Sequence, residues 1–227
     1  MRVLEQKLHV FRSIFGLAAV SLMITACGAI PDGRGDRAQR PSTSAGLGAF
    51  DPSPSVRQCF SELGKANVRF SPLPNRQFSG GCSQIDSIKL LDVGADVTNL
   101  GPVKCELAEK FAAWTEYAVK RAARQYLGSD LKRIETMGSY SCRNIAGSGK
   151  LSEHAHANAI DVSAFVLNDG RRITVEDNWK SGRREMQFLT AIHNSACKRF
   201  GTVLGPNYNA AHRNHFHFDM SGNGYCR

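Results

Sequence analysis

An α+β fold is what the apolar periodicities of this 227-residue chain predict, with an antiparallel sheet carrying helices on one face and leaving an open groove on the other. Two segments repeat apolar residues at three- and four-residue steps, as helices facing a core do. Short β-branched or alternating runs lie around them, separated by turn residues, and these read as strands. The last run, Asn214 to Met220, alternates strictly: His215, His217 and Asp219 fall on one face, Phe216 and Phe218 on the other. An antiparallel sheet can bury one face and solvate the second, so the polar side chains are placed where a groove would open.

The elements follow in chain order. Ser55 to Leu63 is a short helix ended by Gly64, and Val68 to Phe70 is a strand before Ser71, Pro72, Leu73 and Pro74. Ile88 to Val93 is a second strand. Cys105 to Leu127 is the clearest helix, with Leu107, Phe111, Trp114, Ala118 and Ala122 on one stripe and Gly128 as its cap. Strands follow at Leu131 to Tyr140 and Ile160 to Leu167, and Asn168, Asp169 and Gly170 form a hairpin turn into Arg172 to Val175. Arg184 to Phe200 is a second helix, with Leu189, Ile192, Ala196 and Phe200 inward.

Residues 1–26 read as a secretory signal. Arg2, Lys7 and Arg12 supply positive charge, and the apolar stretch from Ile14 to Ala26 is too short to span a bilayer. Ile24, Thr25 and Ala26 before Cys27 resemble a bacterial lipobox, which would make Cys27 a lipidated mature N-terminus; the alternative is a plain signal peptide. Gly28 follows in place of the Asp that marks inner-membrane retention, so by resemblance an outer-membrane, periplasm-facing anchor is expected. Residues 27–56, rich in Pro, Gly, Ser, Arg and Asp, cannot bury enough surface to offset ordering and read as a disordered tether. The folded domain is expected from Arg57 to Arg227.

Seven cysteines are an odd number for an exported chain, and setting Cys27 aside leaves Cys59, Cys82, Cys105, Cys142, Cys197 and Cys226. Six make three disulfides in an oxidising compartment, and the absence of a Cys-x-x-Cys pair argues against a cysteine zinc knuckle. Nearness in sequence suggests Cys59 with Cys82, Cys105 with Cys142 and Cys197 with Cys226. The formal net charge of +9, lowered by two on removal of the signal, favours anionic surroundings such as carboxylate-bearing peptidoglycan stems. Nucleic acid is not expected as a partner in that compartment.

The segments Ser152 to Asp161, with His154, His156 and Asp161, and His215 to Asp219, with His215, His217 and Asp219, offer together the donor types of a catalytic zinc site, two imidazoles and a carboxylate that leave one tetrahedral position open. Zinc lowers the pKa of water from about 15.7 to about 7 and polarises the attacked carbonyl. His215 could then take the water proton or stabilise the oxyanion, with Glu153 as a second candidate base. Asp219 could orient a ligand histidine through its other ring nitrogen, or be a solvated charge at a strand end. His193 and His212 carry no such pattern: His193 stands among polar neighbours, and His212 either orients the site or ends a loop.

Ser152 to Asp161 resembles the Ser-x-His-x-x-Gly-x-Ala-x-Asp signature of the zinc D-Ala-D-Ala carboxypeptidases, grouped with lysostaphin-type peptidases and the sonic hedgehog fold. Gly138 to Ile145, Leu151 to Ala155, Phe200 to Pro206 and Tyr208 to Arg213 are similar to the bacterial extensin-like C-terminal domain family over roughly Arg57 to Arg227. The resemblance implies a zinc peptidase-like fold acting on cell-wall peptides. It places His154, Asp161 and His217 as Zn²⁺ ligands and His215 as the catalytic histidine. Arg143 corresponds to an Arg or Gln that holds substrate or transition-state charge, although a structural ion pair is an equal alternative.

Two residues depart from the patterns: Ala157 stands where the signature has Gly, and His156, where an aromatic is usual, is a further ligand candidate. Ala157 suits the site only if the backbone there avoids the left-handed region, which costs alanine about 1 kcal/mol or more. The expected activity is that of a monomeric, lipid-anchored zinc metallopeptidase of the D,D-carboxypeptidase or endopeptidase type, cleaving peptidoglycan stem peptides or crosslinks. The competing expectations are a non-catalytic cell-wall-binding module with the same fold, and a disulfide-stapled structural lipoprotein.

Overall fold

The computed structural model describes residues 52–227. The signal segment, Cys27 and most of the tether lie outside the described residues. Helix α1, Pro54–Lys65, starts where the Ser53 hydroxyl accepts from the Val56 amide and Pro54 supplies a ready helical φ. It therefore begins inside the stretch assigned to the tether, because Val56 and Cys59 are already buried against the domain. It also runs through Gly64 rather than ending there, with Ala66 as the cap.

Six short strands follow: β1 (Arg69–Pro72), β2 (Arg76–Gln77), β3 (Ser83–Gln84), β4 (Ser87–Asp92), β5 (Asp96–Thr98) and β6 (Val103–Lys104). β1, β4 and β6 form a small antiparallel sheet, and β2 pairs with β3. Helix α2 is α-helical over Cys105–Trp114 and continues through π-turns at Thr115–Val119 and Ala123–Leu127. It ends at Gly128, whose φ of 68° is the left-handed cap that glycine takes freely. Leu107, Phe111, Trp114, Ala118 and Ala122 are all buried, so the expected stripe is the core face.

The remaining elements are β7 (Leu131–Gly138), β8 (Ala159–Leu167), β9 (Arg172–Thr174), α3 (Val175–Asn178), α4 (Arg183–Ala196), β10 (Thr202–Leu204), β11 (Phe216–Asp219) and β12 (Tyr225–Cys226). The main sheet has the order β12-β10-β11-β8-β7-β5, with β9 pairing β8 beyond the end of β11. Helices α2 and α4 cover one face of it. Trp114 packs edge-on against Phe218 at 5.0 Å and donates its indole N–H to the Ile192 carbonyl at 2.9 Å, tying α2 to α4. Phe188 of α4 packs on Phe165 at 5.2 Å. Each such ring removes a large apolar area from water, worth about 1.5–3 kcal/mol.

The sheet is mixed rather than wholly antiparallel. β5 runs parallel to β7 because α2 supplies the long crossover between them, and β12 runs parallel to β10 at the opposite edge. Both edge strands are too short to show a period in the sequence. Two of the three disulfides also differ from nearness in sequence: the bonds are Cys59–Cys105, Cys82–Cys142 and Cys197–Cys226. Packing of α1 on α2 brings Cys59 to Cys105, and Cys82 reaches instead to the loop after β7. Among the described residues no helix is long and apolar enough to cross a membrane.

Candidate metal centre

The antiparallel pairing of β11 with β8 sets His217 opposite Asp161, while Phe216 faces Val162 and Phe218 faces Ile160. The four apolar partners enter the core and the polar pair stands on the other face of the sheet. His154 comes from a 3₁₀ turn, Glu153–His156, capped by the Ser152 hydroxyl. Ala157 closes that turn at φ 52°, the left-handed conformation its side chain resists. The strain is held by hydrogen bonds on both sides: the Ala157 amide donates to the His154 carbonyl, and the Lys104 amide donates to the Ala157 carbonyl at 2.8 Å.

Three side chains converge as a result. His154 Nε2 lies 3.2 Å from His217 Nδ1 and 3.1 Å from Asp161 Oδ2, and His217 Nδ1 lies 2.9 Å from Asp161 Oδ1. Ligand atoms about 2.0–2.1 Å from a tetrahedral zinc stand about 3.3 Å apart, so this donor set fits the ion with small outward shifts. The far nitrogens are occupied in the way metal-bound histidines require. His154 Nδ1 is 3.2 Å from the Ser139 carbonyl, which can only accept, and so it carries the proton. His217 Nε2 is 2.8 Å from Asp219 Oδ2, and the other oxygen of Asp219 accepts from the Ser221 amide and hydroxyl.

The charges inside the cluster are paired with one another. Burial opposes ionisation of Asp161, but its close contacts with the His154 and His217 imidazoles outweigh it and hold the carboxyl far below its usual range. Burial likewise opposes the charge on His217, and the hydrogen bonds to Asp161 and Asp219 overcome it, raising the imidazole to about 9. His215 behaves oppositely. Burial lowers its pKa, Asp161 pulls it up, and His217, His154 and Arg143 push it down.

The other expected site residues divide. His215 Nε2 stands 3.5 Å from Asp161 Oδ1, and its Nδ1 is 2.9 Å from the Asn214 side-chain oxygen. Arg143 is exposed on the loop after β7, held by the neighbouring Cys82–Cys142 bond and a bridge between Asn144 and Leu151. Its charge reaches both His215 and His212. Two candidates are turned to other partners: His156 Nδ1 is 3.1 Å from the Ser83 hydroxyl, and Glu153 accepts from the Asn158 amide at 2.6 Å.

His212, treated as ordinary from the sequence, belongs to the cluster. Its ring is 5.1 Å from His215 and 5.9 Å from His217, and burial with those two neighbours lowers its pKa to about 4. Ser139 and Ser221 also serve the site, and no local motif announces either. His193 is buried between Trp179 and Phe216 rather than exposed among polar residues. Its place four residues after Leu189 on the apolar stripe was the available signal. His193, Cys197 and Cys226 also lie close enough to share an ion, but the disulfide consumes both thiols.

The model of the extensin-like protein C-terminus matches residues 57–227. The chain belongs to that family. No curated protein and no solved structure matches it. In this extensin-like domain the matched span holds every residue of the histidine cluster and all three disulfides.

Proposed function

We propose that this extensin-like protein is a zinc-dependent peptidoglycan peptidase of the D,D-carboxypeptidase or endopeptidase type, held at the cell envelope by a lipid on Cys27. The observation that carries the reading is the convergence of His154 Nε2, His217 Nδ1 and the Asp161 carboxylate, with Ser139 and Asp219 fixing both imidazoles from behind. A hedgehog-like or D,D-peptidase-like sheet with an open groove over the histidines is part of the same proposal. The two cavities between α1 and α2, about 500 and 520 Å³, are lined by none of these residues. Three disulfides suit an oxidising, extracytoplasmic location.

His154, Asp161 and His217 would hold the zinc, which when bound supplies a Lewis acid that polarises a peptide carbonyl and acidifies water to about pKa 7. His215 carries its Nδ1 proton towards Asn214, which leaves Nε2 free to accept the proton of the attacking water and return it to the departing amine. Arg143 offers an exposed guanidinium beside the cluster, suited to a stem-peptide carboxylate or to charge developing on the carbonyl oxygen.

Mass spectrometry of purified peptidoglycan after incubation with a zinc-loaded soluble form beginning at Pro52 tests the proposal. Loss of terminal D-alanine or opened crosslinks is expected. Stem peptides left unchanged by a zinc-bound protein would contradict the peptidase and favour the cell-wall-binding module.

A further inference from the structure

Tyr208 and Tyr225 keep 42% and 45% of their surface exposed, and Tyr208 stands against His212 of the histidine cluster. Pairing across the sheet edge decides the face of Tyr225. Thr202 pairs with Asp219 on one side and with Tyr225 on the other, so Tyr225 shares the face of Asp219 and His217. The adjacent Cys226 pairs with Val203, itself opposite the core residue Phe218, and turns inward to bond Cys197. From Tyr225 a row of rings leads to the centre: Tyr225 to Tyr208 at 6.1 Å, Tyr208 to His212 at 5.3 Å, and His212 to His215 at 5.1 Å.

The rings in this row are tyrosine and histidine, apolar on their faces and polar at their edges, and Arg227 lies over Tyr225 at 5.3 Å from its centroid. Tyr208 and Tyr225 meet edge to face at 85°, and each keeps part of its ring open to solvent. Exposed aromatic area continuous with a reaction centre marks a ligand surface. A pyranose matches it, since its C–H faces cover aromatic rings while its rim of hydroxyl and amide groups stays wet or meets a guanidinium. We propose that Tyr208 and Tyr225 form a subsite that seats a sugar ring of the glycan strand, next to the stem peptide held at the histidines. This rests on the peptidoglycan reading above and adds to it the glycan as a second recognised part of the substrate.

Peptide-free glycan strands, oligomers of N-acetylglucosamine and N-acetylmuramic acid, are the probe, titrated calorimetrically into the full zinc-loaded chain. Tyr208→Ala and Tyr225→Ala are each expected to weaken binding about 10-fold or more, while Tyr208→Phe and Tyr225→Phe retain most of it and show that the fold survives. Wild-type protein that binds no glycan, or alanine variants that bind as wild type does, would overturn the subsite. Hydrolysis of sugar-free stem peptides, measured alongside, separates the two ideas. Cleavage without glycan binding removes the subsite and keeps the peptidase, whereas Tyr-dependent glycan binding without cleavage keeps the subsite and removes the peptidase.

Discussion

His217 and Asp219, two residues apart on β11, meet at 2.8 Å through Nε2 and Oδ2, and this contact turns Nδ1 of the same imidazole towards Asp161 and His154. In the proposed zinc site Asp219 would therefore orient a ligand histidine. Replacing it with Asn leaves the shape and removes the charge, and is expected to weaken zinc affinity by about 10- to 100-fold. Competition with a chromogenic chelator measures it. Affinity equal to wild type would show that Asp219 does not orient a ligand.

Stability of the metal-free domain is expected to peak near pH 6.5. His217 has a folded pKa of about 9, above its ordinary 6.5, so its contribution is complete below pH 6.5 and lost as pH rises through about 9. On the acid side, His212 is lowered from 6.5 to about 4, so stability falls as pH drops from 6.5 through about 4, and the depressed Asp161 adds a further loss only below its ordinary value of 3.8. Thermal unfolding in chelator across pH 4 to 9 tests this. A melting temperature that holds level from pH 6.5 to 9 would contradict the pairing of His217 with both carboxylates.

The histidine face was legible in the sequence because a period of two is local: Phe216 and Phe218 announce which side is core, and His215, His217 and Asp219 follow. The stripes of α2 and α4 were legible for the same reason. What escaped depends on contacts between distant segments. Cys59 finds Cys105 only through helix packing, and Tyr225 joins the site face only through pairing with Thr202. Ala157 adopts the backbone its side chain disfavours because the turn aiming His154 requires it.

Because the three bonds join six of the seven cysteines, the folded part should show no reactive thiol when denatured without reduction. Removing Cys82–Cys142, for example by replacing both with Ser, is expected to cost about 2–5 kcal/mol. It should also loosen Arg143. Two or more titrated thiols per chain beginning at Pro52 would contradict the pairing.

Cys27 lies outside the described residues, and its proposed lipid is tested separately. Cys27→Ser should move the protein from the detergent phase to the aqueous phase on phase partitioning. Unchanged partitioning would remove the anchor from the account.

Zinc content by atomic emission is the most direct measurement, made on the reconstituted wild type and on single variants. About one zinc per chain is expected for wild type and for His215→Ala, with activity in the latter down about 10²- to 10⁴-fold. His154→Ala, Asp161→Ala and His217→Ala should each lose the ion, and His156, bonded to Ser83, should not rescue the first. A wild-type protein that takes up no zinc, or a His217→Ala variant that retains it, would contradict the metal centre.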